Sequence, residues 1–210
     1  MSDAADLNHP RPDRTGETGG TATDRRKRFQ AGVVAASATY AEMAGWPDVV
    51  QHARRHGDLV ALAPSLAAAV PDLRGLLEAQ GMRVVVPDGH DPAAEVADVP
   101  LAIVRGEMAI AESGSVLVAE HALGDRVVTM LCRRLVQVVA ADDVADRLED
   151  AAGWLSARAG RPGFASLMTG PSRTADIERS LTIGVQGPDE VDVIVLLGGV
   201  DPQTHHMEMT

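Results

Sequence analysis

The sequence predicts an α/β protein, a three-layer α/β/α sandwich built on a mostly parallel sheet. Three observations lead to this fold class. Short apolar runs alternate with helical patterns from about residue 38 onward. Several runs are apolar at nearly every position, as expected for parallel strands that are covered on both faces. The 210 residues are also enough to bury one such core.

The predicted strands are apolar runs bounded by glycine, proline or charged residues. They comprise residues 38–43, 59–63, 82–86, 101–104, 116–118, 135–139, 164–168 and 191–197. Aromatic residues make up only 2% of the chain. Aliphatic side chains must therefore fill the core, and a base-stacking surface is not expected.

Helices are predicted between the strands from apolar spacing and from end signals. One helix covers residues 48–56 and ends at Gly57. Another begins at Pro71 and ends before Gly81. A third is opened by two aspartates at 142 and 143 and has apolar residues at helical spacing, namely Val144, Leu148, Ala151, Ala152 and Leu155.

The domain organisation is predicted as one folded unit between two tails. Residues 1–24 contain almost no apolar side chains and are expected to be disordered. Residues 25–198 form a single α/β domain, and residues 199–210 form a frayed C-terminal tail. The basic cluster at residues 25–28 is interpreted as a solvated helix start rather than a nucleic-acid contact.

Composition excludes several functional classes. The net charge of −11 argues against nucleic-acid binding, which requires a basic surface. Cys132 is the only cysteine, so these residues form no internal disulfide and hold no cysteine-ligated cluster. We expect no membrane span and no secretory signal, and therefore a cytoplasmic location. The glycine fingerprint of dinucleotide-binding proteins and the nucleophile elbow of α/β-hydrolases are both missing.

Three polar turns have residues suited to chemistry. Residues 112–115 combine a carboxylate, two hydroxyls and a glycine before an apolar run. Residues 170–178 follow an apolar run and are predicted to open a helix that Ser172 or Thr174 caps. Residues 184–188 form a glycine-flanked turn before the last strand. Polar residues at strand ends are where open α/β sheets bind ligands, so we expect a shared pocket for a small polar or anionic ligand.

The candidate site residues come from these turns. Glu112 and Asp176 are the candidate general bases. The candidate ligand-binding residues are Ser113, Gly114, Ser115, Gly170, Ser172, Arg173, Thr174, Glu178, Gln186 and Gly187. A purely structural interpretation is equally open, in which the acidic residues complement the helix dipole and the hydroxyls cap the helix.

The histidines and the cysteine give weaker signals. His52 and His56 are four residues apart on a predicted helix, but a metal site would need carboxylates from distant parts of the chain. Solvent exposure is the favoured interpretation, and no metal is expected. Cys132 is interpreted as a buried structural residue, with a thiol activated by Arg133 and Arg134 as the alternative.

In their order, the three motifs resemble those of the lactate-utilisation protein C family, whose domain is the LUD domain. Residues 109–115 read AIAESGS, residues 170–178 read GPSRTADIE and residues 184–188 read GVQGP. The resemblance spans roughly residues 30–200. Ser113 and Ser115 replace threonines of the family pattern. Gln186 replaces a histidine, and the strand at residues 135–139 lacks another.

The resemblance implies a fold of the NagB/RpiA/CoA transferase-like superfamily, which includes sugar-phosphate isomerases. It also implies a three-subunit system that oxidises L-lactate to pyruvate, in which cysteine-rich partner subunits carry iron–sulfur clusters. This chain would then bind no cofactor itself and would contribute a small-ligand pocket or an assembly surface. The alternatives are a stand-alone enzyme, or a non-catalytic binding module, for a sugar phosphate, a CoA thioester or another small anion. Catalysis and oligomeric state, including a homo-oligomer, stay open.

Overall fold

The computed structural model describes residues 20–158, 163–171, 173–175, 181–183 and 187–200. The helices are α1 (Ala22–Ala35), α2 (Trp46–Arg54), α3 (Pro64–Ala69), α4 (Asp72–Ala79), α5 (Pro92–Val96), α6 (Leu123–Leu131) and α7 (Leu148–Ala157). The strands are β1 (Thr39–Met43), β2 (Leu59–Leu62), β3 (Arg83–Val85), β4 (Leu101–Arg105), β5 (Met108–Ile110), β6 (Ser115–Glu120), β7 (Arg134–Ala140), β8 (Val144–Ala145), β9 (Phe164–Met168), β10 (Arg173–Ala175), β11 (Leu181–Ile183) and β12 (Glu190–Leu196).

The main sheet is parallel throughout its described strands, in the order β1-β12-β7-β4-β2-β3. Its central strands β12, β7 and β4 are buried along almost their whole length. Both faces of these strands must therefore be covered, which is why their sequences read as continuous apolar runs. The predicted α/β class with a mostly parallel sheet is confirmed.

The helices cover the sheet as right-handed crossovers require. The connections that contain α2 and α4 run across the sheet in one direction, whereas those that contain α5 and α6 run back. Crossovers of one hand that run in opposite directions place their helices on opposite faces. In agreement, α2 packs against α4, and α5 packs against α6. None of the described helices has the length and apolar character needed to cross a bilayer.

A second sheet, in the order β8-β5-β6-β9, follows the carboxyl end of β4. Strand β6 pairs antiparallel with both β5 and β9. The backbone passes from β4 into this sheet through Gly106, whose N–H donates to the Val138 carbonyl at 2.7 Å. A Cβ at Gly106 would lie 2.5 Å from Cγ1 of Val116, so only glycine allows the β5–β6 hairpin to pack this closely.

Several predicted boundaries differ from the structure. Residues 141–143 form one 3₁₀ turn and Val144 lies in β8, so the third predicted helix begins only at Leu148. At the start of the domain, α1 begins at Ala22, inside the predicted tail, because Thr21 and Asp24 form a reciprocal capping box. At its end, Val200 is buried and its carbonyl accepts a hydrogen bond from Trp46 Nε1 at 2.9 Å.

Cys132 lies at the C-terminal end of α6 and is 6% exposed. Burial raises the pKa of its thiol to about 12. The neighbouring arginines do not activate it, because Arg133 pairs with Asp189 and Arg134 pairs with Asp192. The interpretation of Cys132 as a buried structural residue is confirmed.

The raised pKa predicts that Cys132 reacts with a thiol reagent only when the protein unfolds. At pH 8 about one thiol in 10⁴ is ionised, because the ionised fraction falls tenfold for each pH unit below the pKa. A chromogenic disulfide reagent at pH 8 should release almost no chromophore from the folded chain and one equivalent per chain in denaturant. Fast stoichiometric reaction of the folded chain would contradict this assignment.

Candidate functional site

The first sequence motif meets Thr169, the residue directly before the second motif, through side-chain hydroxyls. Ser113 Oγ lies 2.7 Å from Ser115 Oγ, which in turn hydrogen-bonds Thr169 Oγ1. We call Ser113, Ser115 and Thr169 the hydroxyl chain. Ser115 is 1% exposed, whereas Thr169 is exposed and Ser113 is half-buried. The hydroxyl chain therefore has a buried centre and two more accessible ends. It joins the β5–β6 turn to the residue after β9.

Helix α1 brings the two turns together by direct backbone contact. A Cβ on Gly32 would lie 2.7 Å from the Gly114 nitrogen, and a Cβ on Gly114 would overlap the Gly32 carbonyl carbon. Near the C-terminal end of the helix, a Cβ on Gly170 would overlap the Ala36 carbonyl oxygen. Gly114 and Gly170 also adopt φ values of +69° and +68°, which glycine tolerates best. The glycines of both motifs are thus explained by the seating of α1.

Gln137 is a buried polar residue that the sequence analysis did not select. It lies in the middle of β7 with no exposed surface, and its Nε2 donates to Met168 Sδ at 3.2 Å. Its Oε1 accepts no hydrogen bond from the described residues. An amide on a central strand is unusual enough to have marked it, since buried amides need partners. Gln137 thus contacts the residue next to Thr169.

Glu112 lies on the surface, where it contacts the start of α7. Its Oε2 accepts a hydrogen bond from the Leu148 N–H at 3.1 Å, and its own N–H donates to the Asp146 carbonyl at 3.1 Å. An acidic group at this position satisfies one of the free N–H groups of the first turn and complements the helix dipole. This contact gives Glu112 a structural role, and its role as a general base stays a prediction.

The prediction that a helix begins after Pro171 is wrong. Residues Arg173–Ala175 form β10, which pairs antiparallel with β11. The hydroxyl and acidic residues suggested a helix cap, but pairing with a strand further along the chain determined the structure. Arg173 and Thr174 therefore lie in a strand and not in the first turn of a helix.

For several candidate residues the proposed role in the site stays a prediction. Ser172, Asp176, Glu178 and Gln186 lie outside the described residues. For Arg173 and Thr174 only the backbone is described. Gly187 is described, with φ +123°, at the bend before β12.

Three of the four basic residues in the α1 cluster, Arg25, Arg26 and Arg28, form ion pairs within the chain. Arg26 Nε lies 3.3 Å from Glu42 Oε1, which also accepts a hydrogen bond from Tyr40 at 2.7 Å. Arg28 forms an ion pair with Asp146. A shallow depression between α1 and β1 is lined by Arg26, Tyr40 and Glu42 among others, so paired charges face it. This arrangement agrees with a solvated helix start.

His52 and His56 meet a carboxylate from a distant part of the chain. Asp192 in β12 is 2% exposed, and its Oδ2 lies 2.9 Å from His52 Nε2. Burial raises the pKa of Asp192, but hydrogen bonds from His52 and Arg134 bring it below its usual value. Burial, followed by the charge of Arg134, lowers the pKa of His56. The expected solvent exposure is wrong for His52, whose side chain is 13% exposed.

Comparisons with known proteins agree with the motifs. A family model described as the LUD domain matches residues 60–196. Lactate utilization protein C from Geobacillus thermodenitrificans strain NG80-2 is 32% identical over 108 residues, which cover 50% of this chain and 44% of that protein. Lactate utilization protein C 1 from Bacillus mycoides strain KBAB4 is 33% identical over 107 residues, 49% of this chain and 45% of that protein. The match thus spans less than half the length of these relatives.

A solved structure has the same fold. The crystal structure of a DUF162 family protein from Deinococcus radiodurans superposes with a TM-score of 0.60, and it covers 85% of this chain and 100% of that chain. The sequence identity is 17%. This similarity supports the architecture described above.

Replacing Gly114 with alanine should unseat α1. The new Cβ overlaps the backbone of Gly32 and forces a left-handed conformation on a non-glycine residue, so we expect the free energy of unfolding to fall by about 2–4 kcal/mol. Gly75→Ala is the matched control, since it lies in α4 with open space around its Cβ, and should raise stability by about 0.5–1 kcal/mol. Denaturant unfolding measures both. Equal stability of the two variants would contradict the described contact.

Proposed function

The chain belongs to the LUD domain family, and on that premise we propose that it serves lactate utilisation as a subunit that binds a small polar ligand. The relatives named lactate utilization protein C support the biological role. The observation that carries the ligand-binding role is the hydroxyl chain, which joins the first motif to the residue directly before the second motif. Serine and threonine hydroxyls both donate and accept, which suits a ligand with a carboxylate and a hydroxyl, such as L-lactate.

Within this proposal the residues of the hydroxyl chain have different roles. Thr169 is exposed and Ser113 is half-buried, so their hydroxyls are the ones that contact the ligand. Ser115 is buried between them and is a positioning residue, because its hydroxyl holds both in place. Arg173, which follows in the second motif, is the proposed cation that would balance a ligand carboxylate.

The side-chain oxygen of Gln137, which has no donor among the described residues, supports a polar ligand nearby. Leaving a buried carbonyl oxygen without a donor costs about 1–3 kcal/mol, so this oxygen calls for a donor from a ligand or from an ordered water. Gln137 contacts Met168, and Met168 precedes Thr169. We propose that this oxygen accepts a hydrogen bond from the bound ligand or from an ordered water that the ligand orients.

The proposed partners are cysteine-rich iron–sulfur subunits. Oxidation of lactate to pyruvate releases two electrons, and an iron–sulfur cluster needs several thiolates. These 210 residues contain one cysteine, and Cys132 is buried with its pKa raised. Any cluster in the system would therefore be bound outside these 210 residues, which would contribute a ligand site or a surface for assembly.

Ligand binding is tested by thermal shift and calorimetry with L-lactate, pyruvate, ribose 5-phosphate and CoA as probes. We expect L-lactate or pyruvate to raise the Tm, since a ligand that binds only the folded state stabilises it. Thr169→Val should weaken that binding by about tenfold, the equivalent of one hydrogen bond. Ser156→Ala, an exposed serine in α7, is the matched control and should bind as the unaltered chain does.

The outcomes separate the functional classes. Binding of the phosphate or CoA probe alone would replace lactate with the alternative ligand class. Equal affinity in Thr169→Val and Ser156→Ala would remove the hydroxyl chain from the binding site.

Assembly is tested by affinity purification of the chain from its native host under anaerobic conditions. The proposal predicts that cysteine-rich proteins with the visible absorption of iron–sulfur clusters copurify at a fixed ratio to this chain. Their consistent absence would contradict the subunit role while leaving the ligand measurement intact.

A further inference from the structure

A second polar cluster lies near the amino-terminal ends of β7 and β12. Two histidine nitrogens converge there on one carboxylate oxygen. His52 Nε2 lies 2.9 Å from Asp192 Oδ2, and His56 Nε2 lies 3.8 Å from the same atom. The histidine ring centroids are 4.9 Å apart. Three donor atoms from two separate parts of the fold thus face one point.

We propose that His52, His56 and Asp192 bind one divalent transition-metal ion of the Zn²⁺ class. Their donor atoms lie within 4.8 Å of one another. Ligand atoms that share a tetrahedral zinc ion are about 3.3 Å apart, given metal–ligand bonds of about 2.0–2.1 Å. The two measured nitrogen–oxygen distances lie on either side of that value, so small side-chain rotations suffice to form the site.

The donor set selects the type of metal. Two imidazole nitrogens and one carboxylate oxygen suit zinc and its neighbours in the first transition series, whereas Mg²⁺ and Ca²⁺ prefer oxygen ligands. Three protein ligands leave a fourth position for water. His52 and His56 are 13% and 28% exposed in their side chains, so the water side of the site faces solvent and gives the ion a path of entry.

Arg134 orients the carboxylate and does not use up its capacity. Its Nη1 lies 2.9 Å from both oxygens of Asp192, and the same guanidinium forms an ion pair with Glu190. Each carboxylate oxygen has about two lone-pair positions, so Oδ2, which accepts from Arg134, has one for a metal once the His52 hydrogen bond is replaced. The carboxylates of Asp192 and Glu190 offset the guanidinium of Arg134 and that of Arg55, whose charge acts on His56.

In the structure, His52 pairs with Asp192 directly. Metal binding would replace that hydrogen bond and draw in His56, which sits in the turn just after α2. The ion would then link the end of α2 to the centre of the main sheet. This role is structural, and it is independent of the proposed lactate function because none of its residues belongs to the hydroxyl chain.

The test uses the full chain without an affinity tag, treated with a chelator to remove bound metal. Zn²⁺ binding is then measured by calorimetry, and Co²⁺ binding is measured by visible absorption. We expect one equivalent of each metal, with the ligand-field bands of four-coordinate Co²⁺. Zn²⁺ at 100 times its dissociation constant should raise the Tm by about 5–10 °C. His56→Gln should lower the affinity by at least about tenfold while leaving the metal-free Tm unchanged, because His56 makes no hydrogen bond to Asp192.

Two controls exclude other histidines as the source of binding. His90→Gln removes an exposed loop histidine, and the double variant His205→Gln/His206→Gln removes the adjacent pair near the C-terminus. Both should bind as the unaltered chain does. The proposal is overturned if the chain binds no equivalent of metal, if His56→Gln binds as tightly as the unaltered chain, or if binding disappears in either control.

Discussion

The contact of α1 with two glycine turns is the constraint on which the described site depends. Gly32, within α1, and Gly114 touch through their backbones. Gly170 approaches the carbonyl of Ala36, the residue that follows the C-terminal end of α1. No side chain fits between these surfaces, so the relative position of the two turns is set by backbone rather than by adaptable side chains. A site that relies on hydrogen bonds below 3 Å needs this kind of rigid support.

The second sheet explains how the site is attached to the fold. The chain leaves β4 through Gly106, builds a hairpin that packs against β7, and returns through α6 to the main sheet. Strand β9 then adds to the free edge of that hairpin and carries Met168 and Thr169 to it. The parallel sheet therefore serves as a scaffold, and the antiparallel hairpin carries the hydroxyl groups. Loops and hairpins mounted on a rigid sheet are a common location for binding residues.

Local sequence patterns predicted the scaffold well because its strands are buried on both faces. The strands β4, β7 and β12 can be recognised from their continuous apolar runs in the sequence. The partner of a strand cannot be read in this way, which is why the second sheet was not predicted and β10 was expected at the start of a helix. Signals for helix caps are local, whereas the pairing of β10 with β11 depends on residues further along the chain.

In the site, too, local sequence signals were readable and long-range contacts were not. The motifs at residues 112–115 and 170–178 were recognisable, and a shared pocket between them was expected. Thr169, which directly precedes the second motif, was not selected as a candidate. The hydrogen bond between Ser115 and Thr169 and the meeting of His52 with Asp192 join residues that are 54 and 140 positions apart. Such contacts depend on the register and rotation of whole elements, and a single sequence contains no direct record of either.

The central claim is that two sequence motifs form one physical site, and a double-mutant cycle on Ser115→Ala and Thr169→Val measures it directly. The free energy of unfolding of both single variants and of the double variant gives the coupling between the two side chains. The hydrogen bond predicts a coupling energy of about 1 kcal/mol. Additive effects, with a coupling energy below about 0.3 kcal/mol, would show that the two turns are not joined as described.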